Sequence, residues 1–483
     1  MVIHRAIGIS AEIRSSRRVR IVVDAAPEEA DSYAGQRIRA ASCPSAGIPR
    51  TTWDLAANGE DELLEPFTCR CPFSLPPRHI EVLLADAVDR LTVDCSRIAS
   101  ATGGLIVVMH DGEAISRDAA ATCDMSRPER LRVHGAVSTA LALHSDHALR
   151  ELVDAAAPIG VGIGGKSALL EIAGTPVFVK RIPLTDLERR PEHVRSTANL
   201  FDLPLFCHYG VGLIGGAGFG AWRELAVHTM TTDWVLAAER EGFPLMYHWR
   251  VLPDTTPLPT ELADIDRAVA YWDGRPQVRH RIEALRDSSA SIALFLEYIP
   301  QTLHEWLNAQ IEAGDEATDR ACAMVERELA AGTAFMNSRG LLHIDAHFWN
   351  ILTDGRRLYF ADYGLALSSG FDLSPREAAF FDQNQSYDRG FTATYLVNWL
   401  LTALYGVEGR ETRTAMVRAI AEGRPPEGIP EGAAAVLTRH APVAAAMSAF
   451  TRAFQQTSRS TPYPDEEIRR LLDGQAAVFV QPV

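Results

Sequence analysis

The sequence has few cysteines, no excess of basic residues and no long apolar run. Its seven cysteines are an odd number among 483 residues and are spread thinly: Cys43, Cys69, Cys71, Cys95, Cys123, Cys207 and Cys322. This usage favours reduced thiols in a cytoplasmic protein over a disulfide framework. The one close pair, Cys69 and Cys71, has no second cysteine or histidine pair at zinc-ligand spacing, so we interpret it as two ordinary thiols.

Charge and hydropathy narrow the possible partners. Lysine and arginine total 47 against 62 aspartates and glutamates, a net charge of -15, which argues against nonspecific binding to nucleic acid or to an anionic membrane. The opening residues carry scattered arginines and no continuous apolar core, and they do not predict a secretory signal. The most apolar late stretch, "FTATYLVNWLLTALYG", is short for a bilayer span, contains Asn398 and predicts a buried helix.

The first part of the chain predicts a separate domain. A length of 483 residues is too great for one ordinary core. Residues 1–125 combine strand-like runs at 19–23 and 105–109 with an amphipathic helix pattern at 78–91. These patterns predict a small α/β domain, to which the sequence assigns no role.

The remaining residues change from strand-like to helical patterns. Residues 126–157 predict a helical linker that is closed by Pro158 and the glycines after it. Short apolar runs between turns dominate 158–300, and helical periodicity dominates 301–483. The predicted fold class is therefore α+β, with a small antiparallel-sheet lobe followed by a larger helical lobe.

One segment, "APIGVGIGGKSALLEIAGTPVFVKRI", contains two phosphate-binding patterns at once. Gly160, Gly165, Lys166 and Ser167 fit the P-loop of nucleotide triphosphatases, whereas Gly160, Gly162 and Gly165 fit a glycine-rich lid. A P-loop needs a buried strand before the glycines and a helix directly after them. Instead the preceding pattern is helical, and "SALLEI" and "PVFVKRI" read as two strands joined by a tight turn. The lid is therefore favoured.

A second constellation follows about 160 residues later, in "LLHIDAHFWNILTDGRRLYFADYGLAL". Phosphoryl transfer needs alignment and charge neutralisation more than covalent chemistry from the protein. Asp345 is the candidate to accept or orient the proton of an acceptor hydroxyl, and Asn350 with Asp362 is the candidate Mg²⁺ pair. A short hairpin that turns at Asp354 and Gly355 would return Asp362 to the pocket of Asp345.

These motifs, in this order, resemble those of the protein-kinase-like superfamily, whose catalytic loop is HRDxxxxN and whose metal motif is DFG. The resemblance covers roughly residues 159–400 and implies a bilobal kinase-like fold that binds ATP and Mg²⁺. It implies that Gly160, Gly162 and Gly165 cover the phosphates. It also implies that Lys180 clamps the phosphates and pairs with a helical glutamate.

Three glutamates compete for the pairing with Lys180. Glu188 and Glu192 lie in the charged, proline-interrupted "LTDLERRPEHVR", whereas Glu224 opens the convincing helix "AWRELAVHTMTTDWVLAAE". We choose Glu224, which implies an insertion after Lys180. That glycine-rich insertion is interpreted as a surface loop rather than as a flap.

The resemblance also implies where adenine binds. The stretch "SIALFLEYIPQTLHEWL" is similar to the strand and hinge that join the two lobes, and this places the adenine-binding backbone near Glu297 and Ile299. A buried strand without a ligand is the alternative for this stretch.

The catalytic loop departs from ordinary protein kinases at two positions. Ile344 replaces the arginine before Asp345, which implies activity without a phosphorylated activation segment. His347 is similar to the second histidine of the HxDxHxxN loops of aminoglycoside and choline phosphotransferases. It is a candidate contact to the γ-phosphate or acceptor, with a packed structural histidine as the alternative, and His343 is expected to brace the metal-binding turn.

The acceptor stays open at this point. We favour a protein hydroxyl, as in an atypical bacterial serine/threonine kinase, over a small molecule of the aminoglycoside type. No Ala-Pro-Glu motif follows Gly364, so a peptide-docking platform is short or missing. Two further hypotheses are a pseudokinase or nucleotide-sensing scaffold and a P-loop NTPase that uses Lys166 and Ser167.

Overall fold

A computed structural model describes residues 8–15, 18–24, 37–39, 52–54, 68–70, 126–162, 165–210, 214–255 and 257–478. The chain divides into two compact units, Met1–Ala121 and Thr122–Val483.

The described residues of the first unit form antiparallel strands. They are β1 Gly8–Ser15, β2 Arg18–Asp24, β3 Arg37–Arg39, β4 Thr52–Asp54 and β5 Thr68–Arg70. One sheet has the order β1-β2-β5, and β3 pairs with β4. The strand predicted at 19–23 is confirmed by β2, whereas the predicted strand at 105–109 and the predicted helix at 78–91 lie outside the described residues.

The described part of the second unit is a mixed α+β structure with antiparallel sheets, as predicted at that level. Its strands are β6 Ala157–Gly162, β7 Gly165–Ile172, β8 Thr175–Leu184, β9 Met246–Pro253, β10 Ala290–Glu297, β11 Gln301–Thr302, β12 Leu341–Leu342, β13 Ile351–Thr353, β14 Leu358–Phe360 and β15 Leu367–Ser368. Its α-helices are α1 Arg127–Ala142, α2 Asp146–Ala155, α3 Ala221–Leu236, α4 Thr260–Ala263, α5 Ile265–Tyr271, α6 Pro276–Arg286, α7 Leu303–Glu312, α8 Asp315–Ser338, α9 Pro375–Gln383, α10 Tyr387–Tyr405, α11 Arg410–Ala421, α12 Glu431–Gln456 and α13 Asp465–Val478. Short 3₁₀ helices occupy Pro191–His193 and Leu205–His208.

The main sheet has five antiparallel strands in the order β6-β7-β8-β10-β9. Ala173 and Gly174 join β7 to β8 with φ angles of 51° and 73°, which suits a two-residue hairpin because its twist matches that of the strands. The predicted strand, turn and strand are confirmed. Lys166 lies within β7 and pairs with Arg181 of β8, so no helix follows the glycines as a P-loop requires.

Helices α1 and α2 of the second unit pack against its main sheet, at β7 and β9. The helices predicted in 126–157 are present, but their apolar faces are buried in the main core, at Val133, Val137, Leu141, Leu149 and Val153. The Ser138 hydroxyl also donates to the carbonyl of Tyr247 on β9 at 2.7 Å. The segment is therefore part of the folded unit rather than a linker, because its apolar stripe is covered by the sheet.

Helices dominate the chain after β11, as predicted for 301–483. Thr302 and Ser374 form capping boxes at the starts of α7 and α9, which satisfy backbone amides that have no partner within the helix. Helix α10 confirms the predicted buried helix, with Val397 and Leu400 fully enclosed. Within the described residues, no helix has both the length and the apolar content needed to cross a bilayer.

Candidate active site

Lys180 on β8 is the point where three elements meet. Its Nζ donates to Oε1 of Glu224 on α3 at 2.7 Å and to Oδ1 of Asp362 at 2.8 Å. Burial alone would lower the pKa of Lys180, but the carboxylates of Asp362 and Glu224 raise it above its usual value. The amine is therefore charged while it is almost fully buried.

The predicted pairing of Lys180 with Glu224 is confirmed. Burial raises the pKa of Glu224, and Lys180 opposes this shift. The rejected candidate Glu188 bonds to other groups. Its Oε1 accepts the Ala221 N–H at the start of α3 at 2.7 Å, and its Oε2 pairs with Arg281 at 2.9 Å. The other rejected candidate, Glu192, is exposed on the 3₁₀ helix Pro191–His193.

The predicted hairpin is present as β13–β14, and Asp362 follows its second strand and contacts Lys180. The strands pair from Ile351 with Phe360 to Thr353 with Leu358, and Gly355 takes the positive φ of the turn. Burial would raise the pKa of Asp362, but the ammonium of Lys180 lowers it to about 2. The carboxylate is thus ionised at neutral pH.

Asp345 and Asn350 lie together on the loop that precedes β13. Nδ2 of Asn350 donates to the carbonyl of Asp345 at 3.0 Å and to its Oδ2 at 3.3 Å. Burial and the nearby charge of Asp362 raise the pKa of Asp345 well above its usual value, against the effects of Asn350 and Lys180. A carboxyl with a raised pKa is a stronger proton acceptor than an ordinary aspartate.

Asp388, which the sequence did not indicate, fixes the backbone of this loop. Its two carboxylate oxygens accept the N–H groups of His343 and Ile344, both at 2.7 Å. Ile344 has a φ of 66°, which is costly for a β-branched residue and is held by these bonds. The side chain of His343 contacts the carbonyl of Ala361 at 3.0 Å, next to Asp362, as expected for a bracing role.

His347 lies between Asp345 and Tyr395. Its Nε2 is 3.9 Å from Oδ2 of Asp345, and its ring is tilted 6.1 Å from that of Tyr395. Burial lowers the pKa of His347, so the imidazole is neutral at physiological pH. A contact to phosphate or acceptor stays a prediction.

The side chain of Glu297 forms an ion pair with Arg130 and takes no part in the ion pairs of Lys180. It accepts Nε and Nη2 of Arg130 on α1 at 2.8 and 2.6 Å, and both residues are buried. The backbone N–H of Glu297 donates to the carbonyl of Leu245 at 2.7 Å. The side chain of Ile299, which follows Glu297 closely in the sequence, is buried. The predicted role of this backbone in adenine binding stays untested.

The glycine hairpin forms the edge of the sheet that carries Lys180. Gly160 pairs with Ser167 and Gly162 pairs with Gly165, while Ser167 in turn pairs with Lys180. A Cβ at Gly165 would collide with the backbone carbonyl of Arg181, so this position needs glycine for close approach of the strands. Binding of phosphate by these glycines stays a prediction.

The insertion before α3 is not a surface loop. In its described residues, side chains at Phe201, Cys207, His208, Tyr209 and Phe219 are buried in the core. The carbonyl of Leu365, three residues after Asp362, contacts Nδ1 of His208 at 3.1 Å. The prediction was wrong because glycine content was taken as a sign of exposure, whereas here it permits close packing.

Gly210 of this insertion lies directly against Asp345. A Cβ at Gly210 would be 2.5 Å from Oδ1 of Asp345 and 3.1 Å from Cδ1 of Leu365. Even alanine would therefore push on the carboxylate or be displaced by it. The insertion forms one wall of the space in front of Asp345.

The chemistry of Asn350 and Asp362 fits Mg²⁺. The amide nitrogen of Asn350 is used by Asp345, which leaves its oxygen as a ligand, and Lys180 occupies Oδ1 of Asp362 but not Oδ2. No group of three or more His, Cys, Asp or Glu side chains in the described part is arranged to hold a metal ion. Binding of Mg²⁺ by Asn350 and Asp362 stays a prediction.

A cavity of about 930 Å³ lies apart from these side chains, between α9, the 3₁₀ helix Leu205–His208 and the start of α13. Its lining includes Phe206, Tyr209, Asp382, Arg459, Tyr463, Glu466, Glu467 and Arg469, but not Lys180, Asp345, Asn350 or Asp362. The cavity and the candidate active site are adjacent in the sequence, because Tyr209 lines the cavity and the next residue, Gly210, lies against Asp345. The cavity is therefore a neighbour of the site, not the site itself.

Comparisons of the sequence with protein-family models and with curated proteins returned no match.

Proposed function

We propose that the protein is an ATP- and Mg²⁺-dependent phosphotransferase that moves the γ-phosphate to a hydroxyl acceptor, on a bilobal protein-kinase-like fold. The single observation that carries the proposal is the meeting of four side chains. Lys180 contacts Asp362, Asn350 contacts Asp345, and the charge of Asp362 acts on Asp345. A chain that only scaffolds other proteins has no need of this combination.

The charged half of the site suits a nucleotide. The ammonium of Lys180 is held in place by Glu224 and Asp362, so it is aligned before any phosphate arrives. Asp362 and Asn350 supply the oxygen ligands for Mg²⁺, which when bound neutralises charge on the phosphates.

The other half of the site suits a hydroxyl. Asp345 is the only one of the three carboxylates at this site without a lysine in contact, and its raised pKa favours acceptance of a proton. Asn350 holds one carboxylate oxygen, and Gly210 bounds the space in front of the other. In this arrangement Asp345 accepts or orients the proton of the acceptor hydroxyl as the phosphoryl group moves.

The test is transfer of γ-labelled phosphate by wild type and by Asp345→Asn. The variant should lose about 100- to 10,000-fold in turnover, because it lacks the proton acceptor. Its affinity for ATP should change little, since the nucleotide contacts lie elsewhere. Asp266→Asn, which removes an exposed carboxylate paired with Arg279, is the matched control. Equal turnover in wild type and Asp345→Asn would exclude Asp345 from this role.

The leading acceptor is a protein hydroxyl, as in an atypical serine/threonine kinase. The cavity of about 930 Å³ favours a second candidate, a cationic small molecule, because its lining has an excess of acidic residues. Asp382, Asp465, Glu466 and Glu467 line it, against Arg459 and Arg469, and Arg469 is already paired with Asp465. Incubation with labelled ATP, Mg²⁺ and cell extract fractionated by size separates the two. Label on polypeptide supports the first candidate, and label on a small metabolite supports the second.

A further inference from the structure

Helix α3 carries a second buried charge directly beside Glu224. Nη2 of Arg223 donates to Oε1 of Glu377 on α9 at 2.6 Å, and its Nε donates to the carbonyl of Thr197 at 2.7 Å. The side chains of Arg223 and Glu377 are only 3% and 2% exposed. Successive helical residues point about 100° apart, so α3 faces Lys180 with one residue and α9 with the next.

Glu377 is fixed from both sides. Its Oε2 accepts the N–H and hydroxyl of Ser374 at 3.0 and 2.9 Å, which closes the capping box of α9. The guanidinium of Arg223 also lies over the rings of Phe219 and Phe371, 5.4 Å from each centroid. Because water is excluded, the pair can neither separate nor exchange partners without leaving a charge buried.

Helix α9 is in turn linked to the loop that carries His343, Asp345 and Asn350. The chain between Asp362 and α9 contains β15, and β15 pairs with β12, the strand that leads into His343 and Asp345. The position of α3 is thereby linked through Arg223 and Glu377 to the segment that carries Asp362. A shift of α3 that separated Glu224 from Lys180 would also break this buried pair.

We propose that Arg223 and Glu377 are positioning residues that hold Glu224 against Lys180 without any covalent modification. In a switch, a phosphate added opposite an arginine orders a segment by its new charge. Glu377 presents a carboxylate that is always there, so the site is assembled permanently. Only the catalytic consequence of this proposal rests on the proposed function.

The sequence offers a direct readout, because Lys166 and Lys180 are its only two lysines. Acylation requires the amine to separate from Glu224 and Asp362 and to reach solvent, so the acylation rate of Lys180 reports how firmly these contacts hold it. In Glu377→Gln the rate at Lys180 relative to Lys166, measured by peptide mass spectrometry, should rise about tenfold, because a displaced α3 lets these contacts open more often. An unchanged ratio in a folded Glu377→Gln protein would overturn the proposal.

A second variant covers the case in which Glu377→Gln does not fold. Arg223→Lys keeps the charge but loses the double contact to Glu377 and Thr197, and we expect a smaller rise in the same ratio. Arg279→Gln, which breaks an exposed pair with Asp266, is the control and should leave the ratio as in wild type. A wild-type ratio in Arg223→Lys would count against positioning by Arg223.

The catalytic consequence is measured separately, with γ-labelled ATP. Turnover should fall about 10- to 100-fold in Glu377→Gln, as expected for displacement of a reacting group by a fraction of an ångström to an ångström. Phosphatase treatment of the wild type should change neither turnover nor the lysine ratio, and loss of either would contradict permanent assembly. If wild type transfers no phosphate to any acceptor, the proposed function fails, whereas the lysine ratio still decides the positioning.

Discussion

Two glycine-rich segments of the second unit differ in what their glycines approach. In the β6–β7 hairpin, Gly165 lies against the backbone of the neighbouring strand β8, and pairing within the sheet accounts for its position. In the insertion, Gly210 lies against the carboxylate of Asp345. The comparison teaches that a glycine indicates close approach of another group to the backbone but does not identify that group. The neighbour of Gly165 lies on β8, the next strand in the sequence, whereas the neighbour of Gly210 lies on a distant loop.

Within this comparison the largest expected effect concerns the two lysines near the first glycine segment, Lys166 on β7 and Lys180 on β8. Lys180→Ala should reduce phosphate transfer about 100- to 1,000-fold, because Glu224 and Asp362 lose the cation that holds them and the phosphates lose an aligned charge. Lys166→Ala, the matched control on β7, should keep turnover close to wild type. Steady-state assays with γ-labelled ATP measure both. The reverse pattern would restore the P-loop interpretation of the hairpin.

The next effect concerns the second segment. Gly210→Ala should reduce kcat about 100-fold while the KM for ATP changes little, because the new Cβ displaces the carboxylate of Asp345 rather than a nucleotide contact. Gly174→Ala is the control. It places alanine at a positive φ of 73°, which strains the backbone, but its Cβ would meet nothing within 4 Å. Equal losses in kcat for the two variants would show that a general loss of stability, not contact with Asp345, explains the effect.

The same contrast explains how far the sequence could predict this structure. The hairpin of β7 and β8, the return of Asp362 and the pairing of Lys180 with Glu224 follow from local patterns and motif order. The bonds from Asp388 to His343 and Ile344 span 45 and 44 residues. The pair of Arg130 with Glu297 spans 167 residues. No local pattern records which distant side chain a buried charge meets. Those contacts, and the burial of the insertion, therefore needed coordinates.

The smallest expected effect is a displacement of the pH profile. Asp345 must be ionised to accept a proton, so kcat falls as the pH drops through its pKa, which burial and Asp362 raise above the usual value of about 4. In Gly210→Ala the added methyl group excludes water from Oδ1 and displaces the carboxylate from Asn350. Both effects disfavour the charged form and move this acidic limb to higher pH, by up to about one unit. Gly174→Ala should leave the limb in place. A limb that moves to lower pH in Gly210→Ala would contradict the assignment.

The central claim is that Lys180, Asp345, Asn350 and Asp362 together receive a nucleotide with its metal ion, and equilibrium titration of ATP tests it most directly. Wild type and Asp362→Asn are each titrated with magnesium and again with a chelator. The account predicts that magnesium tightens binding in wild type and has little effect in Asp362→Asn, because the ionised ligand is lost. Failure of wild type to bind ATP, or the same magnesium dependence in both proteins, would contradict it.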